Sequence, residues 1–493
     1  MKNLTLFSLV QLLFINLSYS QIYYNVSKDY LDSNSVNTIS EIVIVNDSLY
    51  CFGGNSANGK LDIYFSVYDN ETNHILTKTF SKDSVNLFTS GLGSGIAFYN
   101  ERLYVINIEK KNNESSQGWL LKINKIGDTI FSKHIHEVST IGEAFRKIKN
   151  YDTKIMLFGY INRYDSTYNH LTNQYLLIEV DTNGNQIWKK EYGMLHSVEY
   201  PNGFKKSNDD GFFLFGSINP ENQYGDFYII KVDSNGNLLW QKTWSYGIND
   251  DEINDIYELP NGNIVIYGRS GEPGWDNGNT QAYMAELSPN GTQVSNERLY
   301  FKHIQYHYFT KVFKNTDGTY DVWGYEDYKL IRPFLMKMSA NFDSLDVQYY
   351  SFWNGPGAQN YLRDIVRMPD NGYVACGFGW DDNSNEDGWL LRIDSNGCAN
   401  VSCTPLAVAP SPSGRVGVGL YPNPANDIVT IESSEAINKI EIINAQGQVM
   451  ETINCNNTLK FQLYTLNYQN GIYFYTISLN NNRTVRGKFL IQH

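Results

Sequence analysis

Apolar and polar residues alternate over short runs along most of this chain, and turns rich in Asn, Asp, Pro and Gly punctuate the runs. One stretch reads "EINDIYEL", the turn "PNGN", "IVIYG", a polar loop, "QAYMAEL", the turn "SPNG" and "TQVSNERLYF". A period of two over about four to eight β-branched and aromatic residues predicts half-buried strands. The short Gly-containing turns predict antiparallel hairpins, and an Asn-Gly pair suits a type I′ turn, in which both central residues take positive φ. The unit is read as four antiparallel strands.

The unit recurs. Its second turn falls at Thr72, Gly127, Gly184, Gly236, Gly291, Phe342 and Gly397, at intervals of 51 to 57 residues. A second marker, an apolar run that usually ends in glycine, precedes each turn at Gly53, Asn107, Gly159, Gly216, Gly268, Gly324 and Gly377. Two ladders with seven shared rungs signal a repeat architecture. Four-stranded antiparallel units repeated about an axis make a β-propeller. The expected fold is all-β, a seven-bladed β-propeller over residues 21–400. The seventh unit stops after three strands, whereas "QIYYNVSKDYLD", Gln21 to Asp32, forms an orphan strand ahead of the first. The mature N-terminal strand is therefore expected to complete the last blade and leave no open edge. Trp188 and Trp240 on outer strands read as packing between neighbouring units. The sixth turn, with Phe342 where glycine is usual, is expected to differ from the others.

"DFYIIKVDSNGNLLWQKTWSYG" and "GWLLRIDSNG" resemble a bacterial β-propeller repeat, and the resemblance extends over about residues 21 to 397. Aromatic residues reach 14% and charged residues only 18%, a mixture suited to strands and tight turns. A net charge of -13 argues against nucleic acid or an anionic membrane as the main partner. At the start, Lys2, the apolar run Leu4 to Leu17 and Ser18-Tyr19-Ser20 read as a signal peptide over residues 1–20, cleaved between Ser20 and Gln21. That run falls short of the ~20 residues that span a bilayer, and no later one reaches it, so the mature form is expected to lack a transmembrane segment. Of the five cysteines, Cys398 and Cys403 in "CANVSC" are a candidate disulfide in an oxidising compartment. Cys51 and Cys376 read as buried thiols.

Residues 401–418 are rich in Pro, Gly, Ser and Ala and read as a linker. Residues 419–493 alternate again, with turns at "NAQGQ" and "LNNNR", and suggest a small Ig-like β-sandwich. Within them "LYPNPANDIVTI" carries Tyr421, Pro422, Asn423 and Pro424, "NGIYFYTI" carries Gly471 and Tyr473, and "GKFLI" carries Gly487. In this order these motifs resemble the type A C-terminal sorting domain of the type IX secretion system. The resemblance implies engagement of that machinery, export to the exterior or outer-membrane surface of a Gram-negative bacterium, and removal of the domain.

Candidate chemistry is sparse. The turns joining first to second and third to fourth strands are short, whereas several second-to-third loops are long and dissimilar: "EKKNNESSQ", "NRYDSTYNHLTN", "NPENQYG", "SGEPGWDNGNT" and "DDNSNED". Variable loops on one face of a rigid scaffold point to binding of an extracellular glycan or protein. Tyr224, Trp275 and Trp380 in these loops are candidates to stack on sugar rings. Counting back from the second ladder aligns Glu143, Glu199 and Glu252 at the start of three innermost strands, where they are weighed as a calcium site against ordinary solvated carboxylates. No other cofactor is expected. His303 and His307 stand about 13 Å apart if both lie on one strand, too far to share a metal. "GLGSG", Gly91 to Gly95, lacks the spacing of a nucleophile elbow. The reading is non-catalytic binding or adhesion. The alternative is a polysaccharide lyase or glycoside hydrolase using carboxylates at the channel mouth.

Overall fold

The computed structural model describes residues 24–28, 36–57, 60–89, 94–111, 115–135, 142–151, 153–166, 170–194, 196–220, 224–247, 250–271, 280–301, 306–328, 330–353, 357–380, 386–399, 418–421, 425, 428–444, 447–465, 467–480 and 484–491. The expected signal peptide, Ser20, Gln21, Cys403, and residues 401–417 of the expected linker lie outside them. Among the described residues the regular elements are all strands.

Up to Ile393 the strands form antiparallel sheets in which spatial order follows chain order. One sheet runs Ser197–Lys206, Phe212–Pro220, Asp226–Val232 and Leu238–Trp244. An eight-stranded sheet joins two such sets, 307–349 and 359–393, through a single parallel bridge between Ile331 and Gln359. The outer strand of the second set comes from the opposite end of the chain. Tyr24–Lys28 pairs antiparallel with Glu386–Ile393, from Tyr24 opposite Arg392 to Lys28 opposite Gly388. The edge that the sequence left open is closed as expected.

Successive sheets pack face to face, and each interface has its own apolar core. Phe213, Phe215 and Ile229 meet Ile256, Ile266 and Ala285 in one. Ile39, Ile42, Leu49 and Cys51 of the first sheet meet Val374, Cys376 and Leu390 of the last in another. Fully burying one such aliphatic side chain contributes about 1.5–3 kcal/mol. The row of sheets therefore closes on itself as a propeller-like ring.

The inner strands share a defect that explains the second sequence ladder. Register slips at one residue in each: Ser40, Arg146, Asn202, Asn254, Thr310 and Arg363. Such a bulge bends the strand and turns nearby carbonyls out of the regular ladder. Gly53, Gly159, Gly216, Gly268, Gly324 and Gly377 stand against these carbonyls. A Cβ on any of them would lie between 1.7 and 2.4 Å from the oxygen of Thr38, Ala144, Tyr200, Glu252, Tyr308 or Tyr361 respectively. The remaining rung is Asn107, and its sheet is built differently. There the strand Arg102–Lys111 faces two short pieces, Val85–Thr89 and Ile96–Tyr99.

The other ladder is a set of Asx turns. The Asp181 carboxylate accepts hydrogen bonds from the Asn183 and Asn185 N–H groups, both at 2.8 Å, and from Asn185 Nδ2 at 2.9 Å. Asp233 does the same for Asn235 and Asn237. Of the Asn-Gly pair only the glycine is left-handed, with φ +72° at Gly184 and +76° at Gly236. The expected type I′ turn is therefore corrected to a right-handed turn closed by a left-handed residue, because the Asp carboxylate pins the intervening N–H groups. The I′ signature occurs instead at Asn46-Asp47 and Asn100-Glu101, where both φ values are positive. The sixth turn also departs from expectation, since it keeps the common shape. Phe342 adopts φ +65°, Ser339 Oγ replaces the carboxylate, and the buried ring packs 5.1 Å from Tyr320. Packing offsets the ~1–2 kcal/mol cost of a left-handed side-chain residue.

Between sheets, outer-strand aromatics cover the next turn. Trp188 lies against Gly236 and Trp240 against Gly291. The Tyr192 hydroxyl donates to Gly236 O at 2.6 Å, and the Tyr350 hydroxyl to Gly397 O at 2.8 Å. In the tail, Ile428–Ile443 organises a five-stranded sheet over a core that includes Val429, Ile440, Ile442, Ile477 and Phe489.

The close approach at the bulges is testable. Gly268→Ala is expected to destabilise the protein by roughly 3 kcal/mol, as overpacking against immovable backbone does. Denaturant melts check this, and an unchanged midpoint would remove the steric explanation of the ladder.

Candidate functional site

The bulges aim charged residues into the axis of the ring. The position after the bulge is Glu41, Lys147, Gly203, Asp255, Lys311 and Asp364 in successive bulged strands. A cavity of about 320 Å³ is lined by Lys147, Asp255, Lys311 and Asp364, by Lys149 and Lys205 further along their strands, and by Glu252, Tyr308, Tyr361, Arg269 and Arg363 toward the start of the inner strands. Antiparallel pairing puts those starts beside the second-to-third connections, as Glu252 opposite Arg269 and Gln359 opposite Trp380 show. The end of the cavity lined by Glu252, Tyr308 and Tyr361 therefore lies toward the face that carries the variable loops.

These charges also bind the sheets into a circle. Gly95 N donates to Glu41 Oε2, Ile148 N to Ser94 O at 2.9 Å, and Lys149 Nζ to Phe204 O at 3.5 Å. Lys205 Nζ donates to Ile256 O at 2.6 Å, and Val312 N donates to Asp255 Oδ2 at 2.9 Å. Lys311 Nζ donates to Ile365 O at 2.6 Å, and Ile42 N returns the circle to Asp364 Oδ2 at 3.3 Å. Ion pairs reinforce it, Lys205 with Asp255 at 2.8 Å and Lys311 with Asp364 at 3.3 Å. Burial, together with the neighbouring lysines, pushes the Lys149 ammonium down to about 7. Lys147 is pushed down to about 8 by burial, against the pull of Asp364 and Glu41.

The three carboxylates aligned in the sequence are not brought together. Glu143 and Glu199 are fully buried, whereas Glu252 faces the cavity, paired with Arg269 at 2.7 Å and accepting from Asn202 Nδ2 at 2.6 Å. The hairpin between bulge and marker glycine varies by one residue, so Glu143 and Glu199 stand three residues before their bulges and Glu252 two. Three residues before the bulge stand Asn37, Glu143, Glu199, Asp251, His307 and Asn360, all buried, so the structural counterpart of Glu199 is Asp251. Several members of this row hold the link between sheets. Glu199 accepts from Met194 N and Ser197 Oγ, both at 2.8 Å. Asp251 accepts from Tyr246 N at 2.8 Å and Ser245 Oγ at 3.0 Å, and Asn360 Oδ1 from Phe352 N and Trp353 N at 2.8 Å. Among the described residues no group of three or more His, Cys, Asp or Glu is placed to hold a metal ion.

Of the loop aromatics, Tyr224 is 62% exposed. Trp380 is partly buried, with Phe378 at 5.7 Å and Tyr361 at 6.2 Å between ring centres. Trp275 and His303 lie outside the described residues. His307 is buried and stacked 4.2 Å from the Phe301 ring. Cys398 is disulfide-bonded, and Cys51 and Cys376 lie in the core between the first and last sheets. Tyr421 and Gly471 fall within tail strands, Tyr473 is buried there, and Gly487 is covered by the Tyr475 ring, while Pro422, Asn423 and Pro424 lie outside the described residues. The channel lysines escaped the sequence reading. Their signal was the recurrence of Lys or Asp at one offset in "FRKIKN", "FTKVFK" and "LRDIVR", a pattern that otherwise reads as a solvated strand face.

Residues 419–492 match the family model described as the secretion system C-terminal sorting domain. The chain is thus a propeller-like β-repeat protein with a type IX sorting domain at its C-terminal end, a secreted or cell-surface bacterial protein whose tail engages that machinery. No helix among the described residues is long and apolar enough to cross a membrane. A search of curated proteins found no match. Among solved structures, the β-propeller domain of the Trilobed protease from Pyrococcus furiosus is 11% identical, with a TM-score of 0.40, over 75% of this chain and 98% of that one. The polysaccharide lyase Uly1 is 8% identical, with a TM-score of 0.46, over 72% and 90% of the two chains.

Burial raises the Glu199 carboxyl to about 7 and that of Asp251 to about 6. Each holds its proton more tightly folded than unfolded, so stability falls as pH rises from the ordinary carboxylate range through these values. Glu199→Gln is expected to flatten this slope between pH 4.5 and 7. It should also stabilise the protein at pH 8 by about 2–3 kcal/mol. Thermal melts across that range check it, and an unaltered profile would contradict the burial argument.

Proposed function

We propose that this protein is a seven-bladed β-propeller that binds an extracellular glycan or protein through its variable loop face, without catalysing a reaction on it. The eight-stranded sheet counts as two blades in this reading, because only the Ile331–Gln359 bridge joins its antiparallel halves. The domains are then a signal peptide at 1–20, the propeller at 21–400, a linker at 401–418 and an Ig-like sorting sandwich at 419–493. The protein is released or held on the outer-membrane surface of a Gram-negative cell. No cofactor is part of the reading.

One observation carries it: the connections are one-sided. The hairpin turns on one face repeat the same hydrogen-bonded pattern, at Asp181, Asp233 and Asp394 among others. On the opposite face the second and third strands are joined from Lys111 to Gln117, Asp165 to His170, Pro220 to Asp226, Gly271 to Thr280 and Trp380 to Glu386. The corresponding links of the first and sixth sets are tight, Ala57 to Lys60 and Tyr328 to Leu330. Diversity on one side of a fixed frame is the usual arrangement of a recognition surface. Tyr224, Trp275 and Trp380 are the aromatic contacts in this reading.

A glycan array with the secreted protein, followed by reducing-end assays on any hit, tests it. Tyr224→Ala and Trp380→Ala are each expected to weaken binding by about tenfold, the effect of losing an interface aromatic, with no sugar released. Turnover on a bound glycan would replace this reading by the lyase or hydrolase one. A second measurement tests the address: deletion of residues 419–493 should retain the protein inside the cell, and normal export of the truncated chain would refute it.

A further inference from the structure

Six cations line the channel cavity, Lys147, Lys149, Lys205, Lys311, Arg269 and Arg363, against three carboxylates, Glu252, Asp255 and Asp364. The lining thus holds six basic groups against three acidic ones inside a chain whose net charge is -13, with Glu41 acting on Lys147 and Glu386 on Arg363 from just outside it. The acids are already committed. Asp255 and Asp364 each give one oxygen to the backbone of the next sheet and the other to a lysine, and Glu252 is held by Arg269 and Asn202. Two of the cations, Lys149 and Arg363, are less fully used. An ammonium has three donors, and Lys149 Nζ makes a single hydrogen bond among the described residues, at 3.5 Å. Arg363 stacks over the Tyr361 and Phe378 rings, 5.3 and 5.0 Å from their centres, and the carboxylate it attracts is Glu386, outside the cavity lining. Lys149 is enclosed by protein yet keeps surface open to the cavity, where it repels Lys205, Lys311 and Lys147. Concentrating like charges in an enclosed site is costly unless counter-charge enters or a lysine gives up its proton.

We propose that the channel cavity is a binding site for a compact anion carrying a carboxylate or phosphate group, held by Lys149 and Arg363 with Lys147, Lys205 and Lys311 beside them. The volume, about 320 Å³, suits a ligand the size of one or two sugar rings or a small phosphate ester. Entry is from the loop face, past Tyr308 and Tyr361. The site does not depend on what the loops bind, so failure of either reading leaves the other standing.

Calorimetric titrations of the full secreted chain with inorganic phosphate, glucuronate and glucose, each at millimolar concentration, test the proposal. Phosphate or glucuronate should bind and glucose should not, and whichever anion binds more tightly identifies the source of the charge. Lys149→Met and Arg363→Gln should each weaken the better anion by about tenfold, the loss of one charge-assisted contact. Glucuronate binding should also weaken between pH 6 and pH 9, because Lys149 loses its proton near 7 while the sugar acid keeps its charge. The idea is overturned if neither anion binds, if glucose binds as well as glucuronate, or if both folded variants bind like the parent. Circular dichroism establishes folding, and Arg363→Gln, outside the circle of inter-sheet bonds, provides the test should Lys149→Met not fold.

Discussion

Six carbonyl oxygens pressed against six glycines hold this ring in shape. Six inner strands carry one extra residue each, and the extra residue pushes a carbonyl toward the neighbouring strand, at a spot where no side chain could stand. A bulge sharpens local twist, and the same bulge at the same depth lets successive sheets fan about a common axis. The sheet with Asn107 is the informative exception. With no glycine at its rung it also has no continuous inner strand, so sequence and geometry fail together there.

The charged interior follows from that geometry. A bulge breaks the strict alternation of faces, and the residue following it meets the axis in strand after strand. Acids there accept from a backbone N–H of the next sheet, and lysines there donate to a backbone carbonyl. Neighbouring sheets are therefore tied by side chain to main chain near the axis, and by aromatic cover over the turns at the periphery. The apolar cores lie between these two belts. Buried ion pairs contribute little net stability when compared with apolar packing, so the belts fix register more than they add strength.

Much of the architecture was legible in the sequence. Both ladders, the orphan strand at Tyr24–Lys28 and the tryptophans over the next turn all have local signatures, because turn chemistry and strand alternation are written in neighbouring residues. The site was less legible. Glu143, Glu199 and Glu252 stand 16, 17 and 16 residues before their marker glycines but 3, 3 and 2 before their bulges, so the variable hairpin separates Glu252 from the other two. Whether a charged residue on an inner strand meets water, core or axis depends on closure of the whole ring, and no local window records that. Phe342 shows the same limit: its left-handed backbone is tolerated because the ring packs on Tyr320, a contact that the residues of the turn do not announce.

Closure through Tyr24–Lys28 sets a temporal order. Tyr24 and Arg392 pair across 368 positions (392 minus 24), so the strand Tyr24–Lys28 is made well before the partner that it closes on. Until the last set of strands arrives with Val374, Cys376 and Leu390, the apolar face formed by Ile39, Ile42 and Leu49 lacks its covering partners. Chains whose decisive contacts are this remote fold slowly and expose sticky surface meanwhile. That face is therefore the part of the ring most open to misassociation until closure.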